Sequence, residues 1–286
     1  DFFTCWINEM SVKRYLSRGV RYVLHGVPTV NVRAEVALMN QNARLVGRRI
    51  VITGGGRGLG FAMARKFCAE GAEVLIAGRS EDTLQRAASE LGCKFLTLDV
   101  SCPELFATFI DEVEEIIGPV DTLVNNAGIS LHEPTFFDVT PKSFDLQFAV
   151  NVRGAFFLTQ EVTKRILERK TKGNILFISS ETGDTMDCRP YGYTKVAVNS
   201  MVQGLAYLFR GDGIRVNAVA PGVTASDMTG YNADGNLSSV GYGQGRIYLP
   251  DEVAEVACFL ISQESGCISG QIVTCNNAQT VNARWK

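Results

Sequence analysis

Arg49-Ile50-Val51-Ile52-Thr53-Gly54-Gly55-Gly56-Arg57-Gly58-Leu59-Gly60 is the stretch that decides the fold. Its first half is a short β-branched run, continuous and apolar, as a strand covered on both faces requires. Three glycines stop the run. Gly58 to Glu70 then carries helical periodicity through Leu59, Phe61, Met63, Ala64 and Phe67. Glycines in such a turn permit a tight reversal, close approach of backbone to phosphate and close helix–strand packing. The helix start offers unpaired N–H groups and a partial positive charge to a pyrophosphate. A strand before the turn and a helix after it are the context that separates a phosphate cradle from a packing turn. Gly54, Arg57, Gly58, Leu59 and Gly60 are therefore candidates for binding a dinucleotide cofactor.

Outward from this turn the chain alternates. Strands are expected at 73–77, 94–98, 122–124, 174–178, 215–219 and 271–274, and helices at 81–91, 103–117, 141–167, 191–210 and 251–262. Such alternation predicts an α/β fold, one doubly wound domain over residues 47–286 with helices on both faces of a parallel sheet. Residues 1–46 form an N-terminal extension. Glu9, Glu35 and Pro28 sit poorly with an arginine-rich, acid-poor transit peptide, so an arm packed on the domain or on a neighbouring subunit is the reading.

Composition narrows the function classes. The 286 residues are 46% hydrophobic, and 28 Lys and Arg against 30 Asp and Glu leave a net charge of −2. That balance lacks the basic excess of a nucleic-acid protein. No run of about 18 apolar residues predicts a membrane span. The eight cysteines include no CxxC pair and no zinc spacing, which fits free thiols in a reducing cytoplasm and no metal site. Only His25 and His132 are present, which disfavours histidine-based catalysis.

The end of the second strand selects the cofactor. A carboxylate there binds the ribose 2′-OH of NAD, and an arginine accommodates the 2′-phosphate of NADP. The sequence reads Ile76-Ala77-Gly78-Arg79-Ser80, with no acid. Arg79 and Arg57 can clamp a dianionic phosphate, so NADP is expected over NAD.

Tyr191-Gly192-Tyr193-Thr194-Lys195 places Tyr191 and Lys195 four apart on one helix face. An ammonium beside a phenol is expected to lower the phenol pKa below about 10 and fit it for general acid–base work. The strand at 174–178 ends in Ser179-Ser180, at the strand end where ligands sit in such sheets, and a serine there can hydrogen-bond a substrate oxygen.

With these residues in order, the sequence resembles the short-chain dehydrogenase/reductase family, including its 3-oxoacyl-reductase-like and glucose- or polyol-dehydrogenase-like members. The resemblance covers residues 47 to about 275. It rests on Thr53-Gly54-x-x-x-Gly58-x-Gly60, Asp99-Val100, Asn125-Asn126-Ala127-Gly128, Asn151, Ser180, Tyr191-x-x-x-Lys195 and Pro221-Gly222. It implies a Rossmann-type domain with a mostly parallel sheet of roughly seven strands. Tyr191 would be the proton donor or acceptor, with Ser180 on the substrate carbonyl, Lys195 on the nicotinamide ribose, and Asn151 holding a relay water. Asp99 and Val100 would meet adenine. Asn125, Ala127 and Gly128 would line the cofactor cleft. Pro221, Gly222, Val223 and Ser226 would reach the carboxamide. Ser180 is preferred over Ser179 because Gly183 follows three later, and Tyr191 over Tyr193 because residue 197 is Ala197. The interval from Ser180 to Tyr191 is short for the family, and Asn276-Asn277-Ala278 stands where Asp-Gly-Gly is usual. A homo-oligomer, dimer or tetramer, is implied.

Residues 226–248 would cover a small-molecule substrate. They are rich in Tyr231, Asn232, Asp234, Asn236, Ser238, Ser239, Tyr242, Gln244 and Arg246, with only Met228, Leu237, Val240 and Ile247 aliphatic. A polar, sugar- or polyol-like substrate is the expectation, against a loop merely rich in turn residues. The alternatives are a 3-oxoacyl-[acyl-carrier-protein] reductase, with Arg153 or Arg189 meeting the acidic carrier, and a non-catalytic NADP-binding regulator. Intact Ser180, Tyr191 and Lys195 weigh against the regulator.

Overall fold

A computed structural model describes residues 43–281, except 227, 240 and 243. Seven parallel strands form one sheet in the order β3-β2-β1-β4-β5-β6-β7. They are β1 (Arg49–Thr53), β2 (Glu73–Gly78), β3 (Lys94–Thr97), β4 (Thr122–Asn125), β5 (Gly173–Ile178), β6 (Ile214–Pro221) and β7 (Ile272–Cys275). Among the described residues, seven α-helices connect or flank them: α1 (Gly58–Ala69), α2 (Glu81–Leu91), α3 (Phe106–Ile117), α4 (Pro141–Phe148), α5 (Ala155–Arg169), α6 (Pro190–Leu208) and α7 (Pro250–Ile261). β1 pairs with β2 on one side and β4 on the other, so strand order reverses at β1. That reversal opens the crevice where ligands bind in doubly wound sheets.

Strand alternation divides the interior in two. Val51, Leu75, Leu123, Ile175, Phe177 and Val216 point to the face covered by α3, α5 and α6. Ile50, Ile52, Ile76, Val124, Leu176 and Val219 point to the face covered by α1, α2 and α7. Successive strand residues face opposite sides, which is why β1 reads as unbroken apolar sequence.

Local chemistry sets the helix ends. Ser80 caps α2 by accepting from the Thr83 N–H, and Gly92 ends it in the left-handed conformation at φ 68°. Thr140 and Ser143 cap α4 reciprocally, with Pro141 in its first turn. At α7 the Glu252 carboxylate accepts from the Leu249 N–H at 2.8 Å.

Two expected helices divide. The stretch 103–117 opens as a 3₁₀ turn, Pro103–Leu105, before α3. The stretch 141–167 is interrupted by a π-helical segment, Ala149–Gly154, between α4 and α5. A periodicity search sees through such a bulge because the apolar face resumes beyond it.

The expected extension over 1–46 lies, through residue 42, outside the described residues. Leu45 is fully buried with the α1–α7 cluster. Arg44 donates to Glu70 Oε1 at 2.8 Å, and Lys66 bridges Glu70 at 3.0 Å and Glu255 at 2.7 Å. The packed core therefore includes residues just before position 47.

Candidate active site

The glycine turn is built to admit no side chain at its tightest points. Gly54 and Gly58 lie at φ 66° and 56°, a region that disfavours L side chains. A Cβ on Gly60 would overlap the Gly54 carbonyl oxygen and stand 2.6 Å from Asn126 Nδ2. Arg57 occupies the N-cap of α1 without a side-chain cap, and no acid sits in the first turn. The first N–H groups of α1 thus fit an anionic pyrophosphate.

Asn126 and Thr53 lock this turn to the end of β4. Asn126 Nδ2 donates to the Thr53 carbonyl at 2.8 Å and to the Gly54 carbonyl at 3.0 Å. Thr53 Oγ1 accepts from the N–H groups of Asn126 and Ala127 and donates to the Val124 carbonyl. Asn125, expected to line the cleft, is buried and donates instead to Thr159 Oγ1 at 2.8 Å. Its side chain alternates away from the cleft toward α5 and holds the strand end in place.

Arg79 follows β2 and is exposed, as is Arg57. Asp99 sits opposite β2. Burial pushes its carboxyl up, but the Ser101 N–H and hydroxyl, with the Arg79 charge, hold it below its usual value. Val100 is buried, and its carbonyl fits against Gly154 so closely that a Cβ there would overlap it.

Catalytic candidates converge at the carboxyl end of β5. Tyr191 neighbours Ser180. Lys195 is buried; its Nζ donates to the Ile178 carbonyl at 2.8 Å and stands 5.4 Å from the centre of the Tyr191 ring. A Cβ on Gly128 would lie 3.7 Å from Lys195 Nζ and 3.5 Å from Asn151 Oδ1. Asn151, in the π-helical segment, accepts from the Ile129 N–H at 2.8 Å and donates to the Ile129 carbonyl at 2.9 Å and to Thr194 Oγ1 at 3.1 Å. Its side chain fixes the loop after β4 to α6.

The expected depression of the Tyr191 pKa does not occur in the protein alone. Burial raises it, and the neighbouring Ser180 hydroxyl offsets only part of that rise. The ammonium sits beside the ring and is bound to the Ile178 carbonyl. Burial lowers Lys195 itself to about 8. Tyr191 is therefore a protonated phenol at neutral pH, ready to donate.

The segment after β6 closes over the crevice. Gly222 N–H donates to the Cys275 carbonyl at 3.0 Å, and Val223 accepts from the Tyr248 N–H at 3.0 Å. Ser226 lies against the glycine turn, 3.6 Å from a Cβ placed on Gly58. Leu237, Ile247, Leu249 and Ala225 form a small core of their own. Two aliphatics expected to face substrate are thus interior to the lid.

Several expected polar wall residues also have other partners. Asn232 and Asn236 accept from the N–H groups of Asp234 and Ser238, Arg246 pairs with Glu252 at 2.7 Å, and Tyr242 donates to Glu181 at 3.1 Å. Position 240, expected to be aliphatic wall, lies outside the described residues. The meeting of Tyr242 and Asn276 on Glu181 escaped sequence reading because no spacing links positions so far apart.

Comparison with known proteins agrees with this construction. Residues 54–277 match the family model described as enoyl-(acyl carrier protein) reductase. The chain is 34% identical to the 3alpha-hydroxysteroid dehydrogenase of Mediterraneibacter gnavus, over 80% of this chain and 95% of that protein. It is 32% identical to the L-rhamnose 1-dehydrogenase (NADP(+)) of Thermoplasma acidophilum, over 82% and 97%. The crystal structure of 3-ketoacyl-(acyl-carrier-protein) reductase from Brucella melitensis, complexed with NADH, superposes with a TM-score of 0.77 at 28% identity, covering 82% of this chain and 99% of that one. The family model and the dehydrogenases among the relatives define the class, an oxidoreductase. The chain belongs to the short-chain dehydrogenase/reductase family.

Proposed function

We propose that the protein is an NADP-dependent oxidoreductase that interconverts a carbonyl and a secondary alcohol on a polar, hydroxylated small molecule. The observation that carries this reading is the meeting of Ser180, Tyr191 and Lys195 beside the cleft that begins at the glycine turn. NADP, when bound, supplies the hydride in reduction and accepts it in oxidation. Gly54, Gly58, Leu59 and Gly60 form its phosphate turn, and Arg57 and Arg79 bind the 2′-phosphate. Asp99 and Val100 flank adenine. Ala127, Gly128, Pro221, Gly222, Val223 and Ser226 enclose the nicotinamide half.

In reduction the Tyr191 hydroxyl gives its proton to the substrate oxygen while Ser180 donates a hydrogen bond to the same oxygen. Lys195 spends one donor on Ile178 and directs the others toward the cleft beside Gly128, where a ribose would lie. Asn151 positions the loop after β4 through its side-chain bonds to Ile129. Tyr191 is protonated at neutral pH, the state from which reduction starts.

The acyl-carrier reading loses a support, because Arg189 is paired with Asp187 at 3.0 Å and Arg153 donates to the Ser101 carbonyl at 2.9 Å. Exposed Phe156 and Phe157 on α5, with Tyr193 and Val196 on α6, support a homo-oligomer.

The test is Tyr191→Phe. Cofactor binding should persist while turnover falls by about three or more orders of magnitude, in the upper range for a lost proton donor. Near-normal rates would overturn the assignment.

A further inference from the structure

We propose that Glu181 is the specificity-determining residue of the substrate half, an acceptor that takes neutral hydroxyl or ammonium donors beside the reacting carbon and rejects carboxylates. The inference rests on the proposed oxidoreductase function and deepens it.

Glu181 directly follows Ser180 and opens the 3₁₀ turn Glu181–Asp184. Its two oxygens are held by neutral donors from separate parts of the chain. Oε1 accepts from the Tyr242 hydroxyl of the lid at 3.1 Å, and Oε2 accepts from Asn276 Nδ2 at 3.0 Å. A carboxylate has about four lone-pair sites, so two remain for a ligand. Among the described residues no cation pairs with Glu181, and the next acid along, Asp184, is likewise held by the neutral donors Thr274 and Asn199. The local field is negative.

The approach of this carboxylate to the crevice depends on Gly222. A Cβ there would stand 3.2 Å from Glu181 Oε2 and 3.0 Å from the Tyr248 ring. Glu181 thus sits between the catalytic serine and the Pro221–Gly222 turn, with Tyr242 on its lid side. Burial and the neighbouring carboxylate push the Tyr242 hydroxyl up to about 12, which keeps it a donor.

The chemistry then discriminates three ways. A hydroxyl or ammonium satisfies the free lone pairs. A carboxylate at about 5 Å is repelled, which at an effective dielectric of 20 is worth on the order of a hundredfold in binding. An apolar acyl chain would cover the charge without supplying a donor.

The experiment uses the full chain with NADP and four probes: sorbitol, gluconate, glucamine and 2-octanol. Turnover is measured, and binding is measured by calorimetry on Tyr191→Phe enzyme with NADP. The wild type should prefer sorbitol and glucamine over gluconate by about tenfold or more, with 2-octanol weaker than either. Glu181→Gln should bring sorbitol and gluconate within about threefold and cost glucamine most, while Glu181→Asp should restore the discrimination. Equal handling of sorbitol and gluconate by the wild type, an unchanged ratio in Glu181→Gln, or no binding of either sorbitol or glucamine overturns the inference. If turnover survives Tyr191→Phe while the binding order holds, the catalytic reading fails and the Glu181 subsite stands.

Discussion

Gly60→Ala tests the phosphate turn at its most crowded atom. The new methyl would overlap the Gly54 carbonyl oxygen and stand 2.6 Å from Asn126 Nδ2, where ordinary contact begins at 3.4 Å. Either the turn or the Asn126 amide must move by close to an ångström. Overpacking of this kind costs about 1–3 kcal/mol. The two Asn126 hydrogen bonds to Thr53 and Gly54 add about 1 kcal/mol each if they break. The sum is roughly 3–5 kcal/mol, a fall in Tm on the order of 10 °C for a domain of this size. NADPH affinity should drop at least about tenfold, since each 1.4 kcal/mol lost at the turn amides is tenfold. Scanning calorimetry with and without NADPH reads both effects. Gly204→Ala is the control. Gly204 lies on α6 with nothing within 4 Å of an added Cβ, so alanine should stabilise by about 0.5–1 kcal/mol. A Gly60→Ala protein with wild-type Tm and NADPH affinity would refute the reasoning.

Other outcomes follow from charges near the cofactor and catalytic residues. Arg79→Asp should weaken NADP more than NAD, read as separate dissociation constants; equal effects on the two would remove the basis for the coenzyme preference. The buried Lys195 has its pKa lowered to about 8 from 10.5. The folded protein without cofactor therefore carries the full cost of a buried ammonium below pH 8 and sheds it as pH rises toward 10.5. Lys195→Met should be more stable than wild type at neutral pH, and the gap in urea midpoint should narrow between pH 8 and 10; a pH-independent gap contradicts this. Glu70 behaves oppositely. Burial would raise its carboxyl, but hydrogen bonds from Arg44 and Lys66 hold it at about 2. Its stabilisation is present above its ordinary value of 4.5 and is lost as pH falls through 2, so Glu70→Gln should cost stability at pH 7 and little at pH 2, by acid-titrated circular dichroism.

Strand and helix order was legible because β1 and its neighbours read as apolar runs punctuated by glycine, and the turn at Gly54–Gly60 has a local signature. Ser180, Tyr191 and Lys195 were legible because strand end and helix start are local too. What escaped was side-chain destination. Asn125 and Asn126 are adjacent, yet one turns to Thr159 and the other to the glycine turn. The lid composition suggested a polar wall, whereas Asn232 and Asn236 stabilise turns and Arg246 neutralises Glu252. Composition cannot distinguish a polar atom offered to substrate from one used by its own loop. The four-residue spacing of Tyr191 and Lys195 fixes a shared face and says nothing of the burial that raises the phenol.

The small core of Leu237, Ile247, Leu249 and Ala225 has a mechanical consequence. A covering segment with a packed interior swings as a plate about its two ends instead of melting residue by residue. Amide exchange at Ile247, whose N–H donates to the Leu237 carbonyl, should then stay slow during openings that admit ligand. Fast exchange would be confined to the joints near Gly222 and Pro250.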